Sequence, residues 1–512
     1  LERRSQGLVG WSKDAKTIYY EMDQNLYSLG VDSKQAEQLT RFDASRFELG
    51  GFSLSPDEQR IAYADWNNEQ EDIWVMPIRG GQPVRVTNDL AEDTAPVWHP
   101  DGKRVIYSSL RNGVRQICVG YLDGRQPTQI TSGDSNHSVL DVSSDGAKIL
   151  YATARDESDI WGVKWESGKE SQVTSDIGVE LWPEAAPDNA TIAYQASRAI
   201  SVGTKVLNCL ILTQAAAADG QRLQLATDGF EPRWSPDGKQ LAFLHADDKS
   251  LAQLWAVGSQ GGNARQLSTG EVTFGGFSQL PYNRFQTQDY QWSPDGHHLV
   301  YCARSAGLSN VWQVGDNGTG EANLSNNEDI QGLFFNPSWS PDGQRLAWLA
   351  LMASSADPKK KSWCIWLREA GHVALRYESS SAIRLVGWSI TGELIVKSLE
   401  SANDTSPVPD DVTLFSLPSS EGRARPIAQL KAAFFQNIQL SPDRKYIAFA
   451  ARRDGEGSLQ VIPANGGDAR KVITSSDPRV YFSNIAWSAD GKTLYYGKQA
   501  SWRVISIIDN FR

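Results

Sequence analysis

The chain has 512 residues, with 50 Lys and Arg against 61 Asp and Glu, a formal net charge of −11, and 40% apolar residues. That balance fits a folded globular protein with a sizeable core and excludes a disordered chain. The acidic surplus argues against a nucleic-acid binder, which needs a basic face to displace counterions from phosphates, and against a polybasic membrane patch.

Eighteen Trp and 43 Gly against three Met favour strands and tight turns over helices. No stretch reaches the ~18 apolar residues of a membrane span; the most apolar one, 206–218, is broken by Asn208 and Gln214. With no initial Met and no signal peptide, the chain is expected to be a mature product or an excised part of something longer. Cys118, Cys209, Cys302 and Cys364 stand far apart in strand-like surroundings and read as buried free thiols.

In chain order, one ten-residue string recurs: WSKDAKTIYY, LSPDEQRIAY, WHPDGKRVIY, VSSDGAKILY, AAPDNATIAY, WSPDGKQLAF, WSPDGHHLVY, WSPDGQRLAW, LSPDRKYIAF and WSADGKTLYY. Its acid is Asp14, Asp57, Asp101, Asp145, Asp188, Asp237, Asp295, Asp342, Asp443 and Asp490. A degraded copy, WSITGELIV at Trp388–Val396, lacks the acid and is one residue short. Ser-Pro-Asp-Gly is the composition of a type I turn: Ser at its first place, Pro fixing φ at the second, Gly at the fourth. The apolar residue four places after the acid and the aromatic six places after share one face of the next strand. Each Asp is therefore a turn residue before anything else.

A second string follows most copies, as in DIWVMPIRGGQPVRVT, QLWAVGSQGGNARQLS and NVWQVGDNGTGEANLS, and ends in Thr or Ser. It reads as strand, Gly-containing turn, strand. Two hairpins per repeat give four antiparallel strands, which is the blade of a β-propeller. The fold class is all-β, tandem propellers of four-stranded blades. About eleven copies exceed the usual ring of about four to eight blades, so two rings are expected. The spacing of the acids, 43 to 44 residues up to Asp188, then lengthens to 49, 58 and 47. That change puts the boundary at residues 228/229, with five repeats in 1–228 and six in 229–512; four and seven is the other division. A closed ring uses one terminus to complete a sheet, and clipping Leu1–Gly10 is expected to lower stability if that segment is the closing strand.

The repeat is similar to that of the TolB-type, WD-like propellers common in bacterial extracytoplasmic proteins, and the similarity runs along essentially the whole chain. The arrangement also resembles the carboxy-terminal propeller region of bacterial membrane-anchored regulators, in which a Ser/Thr kinase or winged-helix domain precedes a membrane span. This resemblance implies a non-catalytic, extracytoplasmic sensor or docking region. Its partner would be a protein, a peptide or a small ligand at a propeller mouth.

By resemblance to other propellers, ligands are expected on the face opposite the Ser-Pro-Asp-Gly turns, in the links between blades. The early links are acidic (Glu48, Glu92, Asp93, Asp134, Glu180, Glu184), which reads as a solvated rim. The later ones are rich in aromatics and amides. Candidate binding residues are Tyr282, Arg284, Tyr290, Phe335, Asn336, Phe435, Asn437, Tyr481 and Asn484, since aromatic and Arg anchors with orienting amides make such sites. Inter-blade packing also requires large flat side chains at these places. No GxSxG, HExxH or GxxxxGK[ST] is present, and the six His do not cluster in sequence. No catalytic residue, cofactor or metal is expected. A propeller lyase or hydrolase acting on an oligosaccharide or peptide, and a structural assembly subunit, are the alternatives.

Overall fold

A computed structural model describes the chain apart from residues 1–4, 24, 43–50, 68–69, 90, 112–113, 134, 176–178, 198–208, 216–221, 228, 247–251, 270, 273–289, 306–307, 326–331, 356, 358–359, 400–409, 420–421 and 512. Every regular element among the described residues is a β-strand. The strands form two units, Leu1–Asp156 with Ser501–Arg512, and Glu157–Ala500. The division therefore falls between Asp156 and Glu157, and not at 228/229; the pairing of Glu157–Gln172, described below, is the reason.

The repeated string folds as its residues dictate. At Ser235-Pro236-Asp237-Gly238 the Gly238 amide donates to Ser235 O at 2.9 Å, and the Ser235 hydroxyl donates to Asp237 Oδ1 at 2.7 Å. The same carboxylate oxygen accepts the Lys239 amide at 3.1 Å. Asp57, Asp101, Asp145, Asp188, Asp295, Asp342, Asp443 and Asp490 likewise accept the amide two residues on. Hydrogen bonding, led by the Ser235 hydroxyl, holds the Asp237 carboxyl down at about 2. The fourth place of the turn is left-handed, with φ +69 at Gly238. Where Ala15, Glu58, Asn189 and Arg444 stand instead of Gly, φ still lies between 56 and 61. A left-handed conformation costs an L side chain about 1–2 kcal/mol, which Asn bears better than the others.

The strand after most turns is buried on both faces, as in the second sheet. Ile61 and Tyr63 pack with Leu26 and Phe52 on one side, while Ala62 and Ala64 meet Trp98, Val105 and Tyr107 on the other. The terminal Thr or Ser of the second string pins the outermost strand. Thr87 Oγ1 accepts the Ile73 amide at 2.9 Å and donates to Asp72 Oδ1 at 3.3 Å. Ser325 Oγ does the same with Val311 N at 3.0 Å and Asn310 Oδ1 at 2.8 Å.

The first unit holds three four-stranded antiparallel sheets, beginning at Ser5–Trp11, Phe52–Leu54 and Asp93–Trp98. A further group starts with Asn136–Val142, which pairs with the first part of Ile149–Lys164. Ile508 and Phe511 pack against this group. Ser5–Trp11 pairs with Thr17–Met22 inside its own sheet, so among the described residues it is not a closing strand.

The second unit is a ring of seven four-stranded groups among the described residues. Five begin at Val179–Ala185, Gly229–Trp234, Tyr290–Trp292, Gly332–Trp339 and Ile383–Trp388. The sixth takes its inner strand from the end of Arg425–Leu440, which pairs with Tyr446–Arg453 from Ile438 to Leu440. The seventh is a composite. Val480–Trp487 and the start of Thr493–Ile508 come from late in the chain, and the second part of Ile149–Lys164 with Lys169–Gln172 come from early in it. Trp165 N donates to Lys492 O at 3.3 Å, and Lys164 Nζ to Thr493 Oγ1 at 2.8 Å. The seventh group meets the first through Ser158, whose hydroxyl donates to Glu180 O at 2.9 Å. Two strands from each end of the unit thus complete one sheet and close the ring.

Candidate functional site

The closed ring of the second unit places one residue of each inner strand at the same level, four positions before the turn acid or its equivalent: Glu184, Arg233, Gln291, Ser338, Gly387, Gln439 and Ala486. All seven line a single axial cavity of about 380 Å³. Tryptophans one position further on shape its wall. Trp234 Nε1 donates to Glu184 O at 3.1 Å, Trp292 to Arg233 O at 3.1 Å, Trp388 to Ser338 O at 3.1 Å, and Trp487 to Gln439 O at 3.2 Å. Each indole therefore wedges against the preceding sheet and satisfies a carbonyl there, which is why Trp recurs at that place in the string.

The inner strands also share a β-bulge just before this level. Register shifts lie between Leu181 and Glu184, Phe230 and Arg233, Phe335 and Ser338, and Ser483 and Ala486. At these bulges Trp182, Glu231, Asn336 and Asn484 adopt φ between 49 and 56. Such bulges re-aim side chains where a strand meets a site. Asn336 Oδ1 accepts the Leu385 amide of the next sheet at 3.0 Å.

The polar content of the cavity is uneven. Arg233 Nη1 meets Glu184 Oε2 at 3.2 Å. Burial pushes the Glu184 carboxyl up, and the Arg233 guanidinium works against that rise. Arg444 also lines the cavity; its Nη1 donates to Trp388 O at 2.6 Å.

Among the residues expected from sequence to bind, Asn336 and Tyr290 line this cavity. Tyr290 is buried, and its hydroxyl donates to Glu231 O and Ala242 O, so it is held as a packing residue. Phe335 is buried edge-on to Trp363 with the Arg384 guanidinium 4.4 Å above it. Tyr481 is 40% exposed under the Arg452 guanidinium, and Asn484 is buried; neither lines the cavity. Tyr282 and Arg284 lie outside the described residues, as do the side chains of Phe435 and Asn437. Sequence reasoning missed Arg233, Gln439 and Arg444. The available sign was Arg at the Gly place of LSPDRKYIAF.

Among the described residues the acidic links are not a solvated rim; Glu48 and Asp134 lie outside those residues. Glu92 bonds Arg115, and Asp93 and Glu180 are buried. Burial pushes the Asp93 and Glu180 carboxyls up to about 7. Beside Glu180, the Thr174 hydroxyl opposes that rise and Asp159 adds to it. In the unfolded chain Glu180 titrates near 4.5, so below that pH both states hold the proton. As pH climbs toward 7 the unfolded state loses its proton first, and stability falls. From 4.5 to about 7, at about 1.4 kcal/mol per tenfold change in acidity, the penalty above pH 7 is on the order of 3 kcal/mol. Glu180→Gln is expected to remove that slope. Melting temperatures of both proteins across this range check it, and parallel curves would refute it.

No histidine ring among the described residues hydrogen-bonds a Ser or Cys side chain. His137 Nδ1 lies 3.1 Å from Thr153 Oγ1, and His99 joins Asp101 and Arg104 within its own turn. No cluster of three His, Cys, Asp or Glu residues suited to a metal occurs among the described residues. Cys118, Cys302 and Cys364 are buried.

Residues 9–212 match the TolB beta propeller domain. The TolB-type repeat expected from the recurring string is thus matched over those residues. Two curated relatives also match. The chain is 30% identical over 118 residues to the uncharacterized protein YidR of Escherichia coli, covering 23% of this chain and 24% of that protein. It is 30% identical over 116 residues to the uncharacterized peptidase YuxL of Bacillus subtilis, covering 23% of this chain and 15% of that protein. The matches therefore span a quarter or less of these relatives. Among solved structures, the β-propeller domain of the Trilobed protease from Pyrococcus furiosus is 14% identical with a TM-score of 0.42, covering 64% of this chain and 92% of that one. The expectation of a non-enzymatic chain is corrected by this relative, which is named as a peptidase.

Proposed function

We propose that this chain is the propeller part of a hydrolase acting on peptides, and that the axial cavity of the second unit holds the peptide. The observation that carries the reading is the 30% identity to a protein named as a peptidase. The cavity supports it, because Gln291, Ser338 and Gln439 offer amide and hydroxyl groups between Trp walls. Such a mixture suits a polar backbone with varied side chains. The sequence carries no GxSxG elbow, so the bond-breaking residues are assigned to another part of the protein or to a partner. The peptidase relationship favours this over the sensor role that the resemblance to membrane-anchored regulators implied.

The test is mass spectrometry of short oligopeptides and a folded protein incubated with the protein as its gene encodes it, with this chain alone as a binding control. Cleavage of the oligopeptides, with the folded protein left intact, is expected. Oligopeptides that are neither cleaved nor bound would overturn the reading.

A further inference from the structure

We infer that the axial cavity of the second unit recognises a carboxylate, and that Arg444 is the residue that grips it. The inference deepens the peptide reading and rests on it only in taking this cavity as the ligand site.

Arg444 occupies the fourth place of its turn with φ 61. Within the same unit that place is filled by Gly238, Gly296, Gly343, Gly392 and Gly491, with φ between 68 and 76, and once by Asn189. Glycine is the residue this conformation favours. A bulky, charged side chain kept there against a local preference marks a position worth a functional hypothesis. The fold does not demand it, since five sister turns close with Gly.

The second observation is electrostatic. The other cation lining the cavity, Arg233, is paired with Glu184. Arg444 is half-buried, and its one hydrogen bond among the described residues is to the Trp388 carbonyl. No described carboxylate pairs with it. Partial burial makes its charge costlier to hold, and that is the sole cause that lowers its pKa. The cavity thus carries one guanidinium in excess, drawn partly out of water, with most of its donor fork free. A planar guanidinium fork matches the two oxygens of a carboxylate. The carboxylate has two sources of the same chemistry, a free organic acid or an acidic side chain on a peptide.

The experiment is calorimetric titration of the whole chain with succinate and with two otherwise identical peptides, blocked at both ends, one carrying Glu and one Gln. It is repeated with Arg444→Gly, which fits the turn, and with Arg444→Asn, which Asn189 shows the turn accepts. The Glu peptide is expected to bind the wild-type chain at least tenfold more tightly than the Gln peptide. Both variants are expected to lose that preference while staying folded, relief of the left-handed φ offsetting the lost bond to the Trp388 carbonyl. Succinate binding as tightly as the Glu peptide assigns the site to free acids; a tenfold advantage for the Glu peptide assigns it to peptides. Equal binding of the two peptides to the wild-type chain leaves the peptide reading standing and overturns the carboxylate. Succinate binding that is lost in the variants, with neither peptide bound, keeps the carboxylate and overturns the peptide reading. Binding of acid undiminished in the variants, or no binding by any probe, overturns this inference.

Discussion

Replacing Trp388 by Ala is expected to destabilise the second unit by about 3–5 kcal/mol, the range for truncating a large buried aromatic. The side chain is fully buried among Phe335, Leu385 and Leu394. Its indole N–H satisfies Ser338 O across the sheet boundary, and the Arg345 guanidinium lies 4.9 Å over the ring. Truncation removes the packing, leaves a void between two sheets and orphans the carbonyl. Trp388→Phe keeps most of the volume and loses the donor, so a smaller loss of about 1–3 kcal/mol follows. Trp11 makes the control. It holds the same place in its string but is 54% exposed, so Trp11→Ala is expected to shift stability by only about 0.5 kcal/mol. Calorimetric scans of the three variants measure the differences. A Trp388→Ala protein melting within a degree or two of wild type would refute the wedge role of the indole.

That contrast marks what the sequence makes legible. Turn, strand and their alternation are local, so Ser-Pro-Asp-Gly and the aromatic six places after the acid announce the sheets directly. The degraded copy at Trp388 is also readable, and its turn still closes, with Gly392 N donating to Ser389 O at 3.1 Å. The terminal Thr or Ser is visible as a regularity, while its reason, a hydroxyl bonding groups 14 and 15 residues earlier, emerges only from the pairing. Ring closure is not legible, because its partners are far apart: Lys164 and Thr493 are 329 residues apart and carry no shared pattern. The lengthening of the spacing after Asp188 reflects longer connections, and these say nothing of which strands complete a sheet.

The site divides the same way. Aromatics in the links attract attention in sequence, yet Tyr290 and Phe335 are packing residues, since a wedge between sheets and a ligand platform call for the same large flat side chain. The cavity is built instead from the residue before the recurrent Trp, whose identity varies from Glu to Arg to Gln to Gly. A variable position in a repeat is where separate copies can differ without harming the fold. Acid at the link positions of Asp93 and Glu180 looked solvated because charge alone does not reveal burial. Both groups are buried, each within its own unit.

A fragment spanning 157–500 is expected to fold as one cooperative unit, and a fragment spanning 229–512 to fail. The longer-range pairing decides this. Without 157–172 the seventh sheet loses its two outer strands, so the strand starting at Thr493 becomes an open edge and Tyr496 loses its contact with Glu170. Without 179–227 the ring loses a whole sheet. Trp234 then has no Glu184 carbonyl to meet, and Ser158 has no Glu180 carbonyl. Apolar faces built for neighbours on both sides become exposed together with unpaired strand edges, a combination that leads to association. Losses from two sheets exceed the roughly 5–15 kcal/mol by which a domain is stable. Size-exclusion chromatography and calorimetry distinguish the fragments: a monomer with one sharp transition is expected for 157–500, and aggregate or a broad, weak transition for 229–512. A soluble, sharply melting 229–512 would show that the ring closes without the early hairpin, and the composite seventh sheet would then be wrong.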